Sequence, residues 1–230
     1  MARRSLYKYF SKQPYAEDFL DGIIYFRSLT YFRDYDDKNV REDKNEGTAL
    51  YSPAGGLHIN NMTQGKSMLA PEWSFSSSAK QKDIFVFCLS QSFSRVLWDK
   101  FGAVACVEIR DIGEFCRRAE AALPPKATFP KPHGRARIGH RVEYYKATEA
   151  GSARWALPDR ISTSKLSDYA WQDEFRLVFS VADAFEFENV DTRLVHVAHQ
   201  DVPNHAEHFS HQAKARSLRD ICRLHSAMGH

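Results

Sequence analysis

The chain reads as an α+β protein, a single domain with a mixed, mostly antiparallel β core and short peripheral helices. Three observations lead to that class. The run Ile84-Phe85-Val86-Phe87-Cys88-Leu89 is apolar throughout and short, which predicts a central strand over Asp83 to Ser90 buried on both faces. The stretch Tyr169 to Ser180 alternates, with Trp171, Asp173, Phe175, Leu177 and Phe179 on one face and Gln172, Glu174, Arg176 and Val178 on the other. Short strand-like runs outnumber helical ones and do not follow the regular strand, helix, strand order of a doubly wound sheet.

Along the chain, Leu6 to Phe10 predicts a short strand, Tyr15 to Asp21 one or two helical turns stopped at Gly22, and Ile23 to Phe26 a second strand. From Arg33 to Thr48 the sequence is strongly charged and without aliphatic periodicity, the chemistry of a solvated loop. Residues 49–82 read as an irregular insertion or hairpin, rich in Gly, Pro and Ser, with a short strand at Leu57 to Asn60. Ser94 to Phe101 predicts a short helix and Ala103 to Ile109 a strand. Ile112 to Leu123 predicts a helix, because Ile112, Phe115, Cys116, Ala119 and Leu123 recur at helical spacing before Pro124-Pro125 stops it. A basic, Pro-rich loop over about 124–140 precedes a strand at Arg141 to Lys146. Arg193 to His199 predicts a last strand, and residues from about 201 to 230 a polar C-terminal helix.

At 230 residues the chain is long enough to bury a core and still hold a cleft. Aromatics make up 13% of it, including 16 Phe and 10 Tyr, so rings rather than aliphatics supply much of the core or a stacking surface. A formal net charge of +3 allows attraction to phosphate without requiring a nucleic-acid partner. The 4 cysteines show no C-x-x-C spacing, which points away from a zinc cage or a disulfide framework. Most of the 10 histidines lie in the C-terminal third without H-E-x-x-H spacing, and His208 and His211 are placed to share a helix face, so no metal site is expected. No stretch approaches the roughly 18 apolar residues of a membrane span, and a cytoplasmic protein is expected. Signatures of α/β-hydrolases, P-loops and dinucleotide folds are missing from the sequence.

The candidate chemistry lies in two groups. A Glu beside an Arg on a half-buried strand, as Glu174 and Arg176 stand, is either a mutually satisfying ion pair or part of a site. Aromatics of Tyr7-Lys8-Tyr9-Phe10 and Tyr25 to Tyr35 are interleaved with Lys8, Arg27 and Arg33, a mix that stacks planar rings and holds phosphates but also fits strand packing beneath long basic side chains. In the charged loop, Arg41 and Thr48 are further candidates for a phosphate-bearing ligand, against the plainer reading of a solvated loop. Trp98 and Phe101 stand at helical spacing, where rings more often pack than bind.

In order, Leu6-Tyr7-Lys8-Tyr9-Phe10, Ile24 to Asp34, Phe87-Cys88-Leu89-Ser90 with Leu97 to Gly102, and Trp171-Gln172-Asp173-Glu174-Phe175-Arg176 resemble a large, poorly characterised bacterial family whose members read "LYKYR", "FS-P--FNDP", "CFS-------MW-HYA" and "W--E-E-R". This chain has Phe32-Arg33-Asp34-Tyr35-Asp36 where that family has Asn-Asp-Pro. The layout also resembles ADP-ribosyltransferase toxins and phage-defence enzymes, with an aromatic or basic residue on the first strand, a Ser or Tyr element on the second and a late-strand Gln-x-Glu, here Gln172-Asp173-Glu174. That resemblance implies an ADP-ribosyltransferase-like core and NAD as substrate, with ADP-ribose passed to a nucleic acid or protein, and an antitoxin or defence-system partner. By it, Glu174 holds the nicotinamide ribose 2′-hydroxyl and steadies the oxocarbenium-like transition state, and Gln172 orients the acceptor. Ring contacts then come from Tyr9, Phe26, Tyr31 and Trp98, the second-strand element from Ser28, and phosphate contacts from Lys8, Arg27, Arg33 or Arg41. The alternatives are a non-catalytic nucleic-acid or nucleotide binding module and a metal-independent nuclease.

Overall fold

The computed structural model describes residues 5–33, 43–132, 134–149, 153–196 and 207–226. Its elements run β1 (Leu6–Phe10), α1 (Gln13–Leu20), β2 (Ile23–Ser28), α2 (Leu29–Arg33), β3 (Thr48–Tyr51), β4 (Leu57–Asn61), β5 (Lys66–Ala70), β6 (Trp73–Ser78) and β7 (Ile84–Ser90). They continue with α3 (Arg95–Lys100), β8 (Ala105–Ile109), α4 (Ile112–Ala121), β9 (Gly139–Arg141), β10 (Glu143–Tyr145), α5 (Pro158–Ser162) and β11 (Ser164–Leu166). The last four strands are β12 (Glu174–Ser180), β13 (Asp191–His196), β14 (Ser210–Lys214) and β15 (Cys222–Ser226). The protein is thus a mixed α and β fold whose strand pairs are antiparallel except for β10 with β11. Among the described residues no helix is long and apolar enough to cross a membrane.

The helices start where the side chains dictate. Pro14 opens α1, Ser94 accepts from Leu97 N at 3.2 Å to cap α3, and Asp111 accepts from Glu114 N at 2.9 Å to cap α4. Gly22 ends α1 at φ +91°, and a Cβ there would lie 2.3 Å from the Ala215 carbonyl oxygen, so only glycine fits. Residues 48–78 are more regular than their Gly, Pro and Ser content suggests: β4 and β5 form a hairpin, and β6 lies between β3 and β13 in a three-stranded sheet.

A larger correction concerns the segment expected to be a C-terminal helix, whose described residues 207–226 form β14 and β15. Ala213 and Cys222 point into the core at 1% and 5% exposure while their neighbours Gln212, Lys214 and Arg223 face outward, the period of an edge strand. β14 pairs with β2 and β15 with β8, so the C-terminal segment closes both ends of the path β14-β2-β7-β1-β8-β15.

The core lies on one face of this main sheet. Phe19 of α1 stacks on Phe87 at 5.5 Å, and Phe115 of α4, Phe26 of β2 and Phe179 of β12 join the same cluster. The opposite face carries Tyr7, Tyr9, Cys88, Ser90, Glu174 and Arg176, because Glu174 is registered against Ser90, Arg176 against Cys88, and Tyr7 against Ser90. The expected Trp171 strand begins only at Glu174. Residues 167–172 form a 3-10 turn, and Asp173 at φ +44° breaks the extended backbone.

Candidate functional site

The site is made by a fork in the sheet. β12 occupies one edge of β7 along its whole length, Glu174↔Ser90 to Ser180↔Ile84. The other edge is shared: β1 meets it at Ser90, and β2 meets it at Val86 and Phe85. Between those contacts β1 and β2 diverge beside Phe87, Cys88 and Leu89, and a cavity of about 610 Å³ opens there. That volume lies within the roughly 300–1,000 Å³ of small-molecule sites.

The walls come from both prongs. From β1 come Tyr7, Lys8 and Tyr9; from β2 and α2 come Tyr25, Arg27 and Tyr31; Phe101 follows α3. Lys8 Nζ donates to the Cys88 carbonyl at 2.8 Å and lies 4.4 Å from the Phe87 ring centre, using a backbone acceptor in the gap of the fork. The Tyr9 hydroxyl donates to the Ser92 carbonyl at 2.9 Å and accepts from Ser94 N at 3.0 Å; burial pushes its pKa up to about 12, so it remains a neutral, fixed ring. The Arg27 guanidinium sits 5.0 Å from the Tyr31 ring centre.

Below these walls lies a buried cluster of charge. Asp43, Glu46, Glu174, Lys165 and Arg176 are 1%, 2%, 3%, 7% and 0% exposed, which makes three carboxylates against two cations. Every N–H of Arg176 has an acceptor. Nε donates to Glu174 Oε1 at 2.6 Å, Nη2 to Glu174 Oε2 at 3.2 Å and to Glu46 Oε2 at 2.8 Å, and Nη1 to Glu46 Oε1 at 2.7 Å and to the Ser162 carbonyl at 3.0 Å. Lys165 Nζ donates to Gln172 Oε1 at 3.0 Å and lies 3.5 Å from both Glu46 and Glu174. Burial pushes the Glu174 carboxyl up, but Arg176 and Lys165 outweigh it and bring it down to about 2, so Glu174 is an anion at neutral pH. The Cys88 thiol beside it is pushed up by burial and by Glu174 itself, and is not a nucleophile at neutral pH.

Of the residues singled out in the sequence, Lys8, Tyr9, Arg27, Tyr31, Gln172 and Glu174 line one cavity. Phe26 does not: it is 0% exposed on the opposite face, edge-on to Phe179 at 5.0 Å, because β2 alternation sends Phe26 and Arg27 to different sides. Ser28 shares that inward face, bonded to Thr30 Oγ1 at 2.7 Å and to Phe209 N at 3.1 Å. Arg33 points to Gln81 Oε1, and Trp98 stands behind the wall, edge-on to Tyr9 at 6.1 Å. Arg41 lies outside the described residues. Thr48 is engaged with Ser78 and Gln81 and does not line the cavity.

Sequence reasoning missed Glu46 and Lys165 as lining residues, while Tyr7 and Tyr25 of the aromatic and basic cluster, and Phe101 beside Trp98, do line the cavity. Tyr25 joins Arg27 there because it stands two residues before it on one strand face. Glu46, with Asp43, belongs to the stretch that reads as a solvated loop, yet both are buried because their partners arrive from β11 and β12. His211 lies on β14 and His208 precedes it, so they share no helix. No group of three or more His, Cys, Asp or Glu among the described residues is arranged to hold a metal ion.

The third carboxylate has a measurable consequence. Burial, and then Glu46, push the Asp43 carboxyl from 3.8 up to about 6. A group raised in the folded state holds its proton more tightly there, so its contribution to stability is fully present below about 4 and is lost as pH rises toward 6. Glu174 works in the opposite sense, stabilising above its ordinary 4.5 and losing that contribution as pH falls toward 2. Asp43→Asn keeps an oxygen for the Asn45 amide, 3.0 Å away, and is expected to be more stable than wild type at pH 7 and equal to it near pH 4. Urea unfolding across pH 4 to 7 checks this; a difference independent of pH would contradict it.

A fixed anion in a ring-walled cavity with two peripheral cations suits a ligand that carries a planar ring, phosphates and a site of developing positive charge. No family model, no curated protein and no solved structure matches the chain.

Proposed function

We propose that the protein is an NAD-consuming ADP-ribosyltransferase of the bacterial toxin or anti-phage defence kind, with an ADP-ribosyltransferase-like core. The observation that carries this reading is Glu174: a carboxylate held ionised at 3% exposure, from a central strand, on the floor of a cavity walled by Tyr7, Tyr9, Tyr31 and Phe101. In the proposed reaction the bond between ribose C1′ and the nicotinamide nitrogen breaks, and its electron pair leaves with neutral nicotinamide. Positive charge builds on C1′ and the ring oxygen, where a fixed anion in a dry site is most effective. An acceptor atom of a nucleic acid or protein then bonds to C1′ and releases its proton to solvent. Because Glu174 stays ionised, its role is electrostatic and not that of a general acid. Arg27 and Lys8 supply the cations for the diphosphate, and Gln172 stands beside the reacting end.

A second reading draws on a different observation. Both oxygens of Glu174 and all five donors of Arg176 are mutually engaged, as in a cluster that only holds strands together. On that reading the cavity belongs to a non-catalytic nucleotide or nucleic-acid binding module. Titrating the protein with NAD while following binding heat and nicotinamide release separates the two. Binding with release supports the transferase; binding without release leaves the module; no binding at millimolar NAD removes the transferase.

A further inference from the structure

The cavity passes through the fork and has a second end. Glu174 lies on the face that carries Tyr7 and Ser90, whereas α1 packs on the other face, with Phe19 against Phe87. Tyr15 and Asp18 of α1 both line the cavity and stand three residues apart, on one side of the helix. Tyr15 is 50% exposed, and Lys12 Nζ lies 5.6 Å from its ring centre. Asp18 is half-buried and receives no hydrogen bond or ion pair among the described residues, in contrast to Glu174 and Glu46. A carboxylate turned to a cavity beside an open ring matches a nucleoside: the ring stacks on the base, and the carboxylate accepts from the ribose hydroxyls.

Resting on the dinucleotide reading above, we propose that Tyr15 and Asp18 form the adenosine end of the site, and that Asp18 selects a ribose with a free 2′-hydroxyl. A 2′-phosphate would bring two negative charges against this carboxylate and remove the hydroxyl it binds, so NAD is accepted and NADP refused. Arg27, on the Glu174 face, and Lys8, whose Nζ reaches the Cys88 carbonyl in the fork, line the same cavity and are the cations a diphosphate joining the two ends would meet.

Calorimetric titration of the full chain tests this, using NAD and NADP, with adenosine and adenosine 2′-phosphate as probes that lack the nicotinamide end. Wild type is expected to favour NAD and adenosine by roughly tenfold or more, the size of one lost charge-assisted contact. In Asp18→Asn that preference should shrink to about twofold, with Lys12 free to meet the phosphate. Equal affinity for the two members of each pair, or a preference unchanged in Asp18→Asn, overturns the proposal. Nicotinamide release reads the other end of the cavity. An adenosine preference lost in Asp18→Asn without any nicotinamide release keeps this site and drops the transferase; release from NAD and NADP alike drops this site alone.

Discussion

Arg176→Met is expected to be strongly destabilising, lowering the free energy of unfolding by about 3–5 kcal/mol. The side chain it removes is 0% exposed and carries the guanidinium that bridges Glu46 and Glu174. Met fills similar space, so the loss is electrostatic: among the described residues, three buried carboxylates would face Lys165 alone. For a domain whose whole stability is about 5–15 kcal/mol, that is a large share. The surface pair of Arg219 with Glu17, at 51% and 41% exposure, is the internal control, and Arg219→Met should cost far less than Arg176→Met. The double variant Arg176→Met/Glu46→Gln should be less unstable than the sum of its parts, because the second change removes a charge the first left unpaired. Urea unfolding of wild type, Arg176→Met, Glu46→Gln, the double variant and Arg219→Met provides the comparison; equal losses for Arg176→Met and Arg219→Met would show that the buried cluster is not what joins β12 to the segment before β3.

What the sequence revealed of this arrangement was its local part. The apolar run at Ile84 to Leu89 marks the central strand because a strand buried on both faces needs no alternation. Alternation likewise places Glu174 and Arg176 on one side of β12, since a two-residue step along a strand returns to the same face. The same rule failed upstream, where Asp173 at φ +44° interrupts the strand and leaves Trp171 and Gln172 in a 3-10 turn. It is silent over residues 210–214, where one buried Ala213 between exposed polar neighbours signals an edge strand only with β2 beside it. The buried acids were illegible for a deeper reason. Nothing in a segment as polar as 41–48 distinguishes a solvated Glu46 from one matched by Arg176, 130 residues away in sequence. The fork itself is also a property of pairing between distant strands. It depends on β1 and β2 meeting β7 at different heights, which no local pattern encodes.

Glu174→Gln is expected to abolish nearly all nicotinamide release, by roughly 100- to 1,000-fold in turnover, the usual effect of deleting one preorganised electrostatic contact to a transition state. Affinity for NAD should change less than about threefold, because the tyrosine and phenylalanine rings and the cations Lys8 and Arg27 remain in place. The variant is also expected to lose less stability than Arg176→Met. With Glu174 neutral, the cluster keeps Asp43 and Glu46 against Lys165 and Arg176, two charges of each sign, and the amide oxygen still accepts from Arg176 Nε. Relief of the excess negative charge therefore offsets part of the lost ion pair, and any loss of turnover can be assigned to the reacting centre. Single-turnover measurements with saturating NAD, made well below the unfolding midpoint of the variant, isolate the chemical step. Turnover equal to wild type would mean that Glu174 serves Arg176 and not the ligand, and the cavity at the fork would then be a binding site whose rings and cations act without bond cleavage.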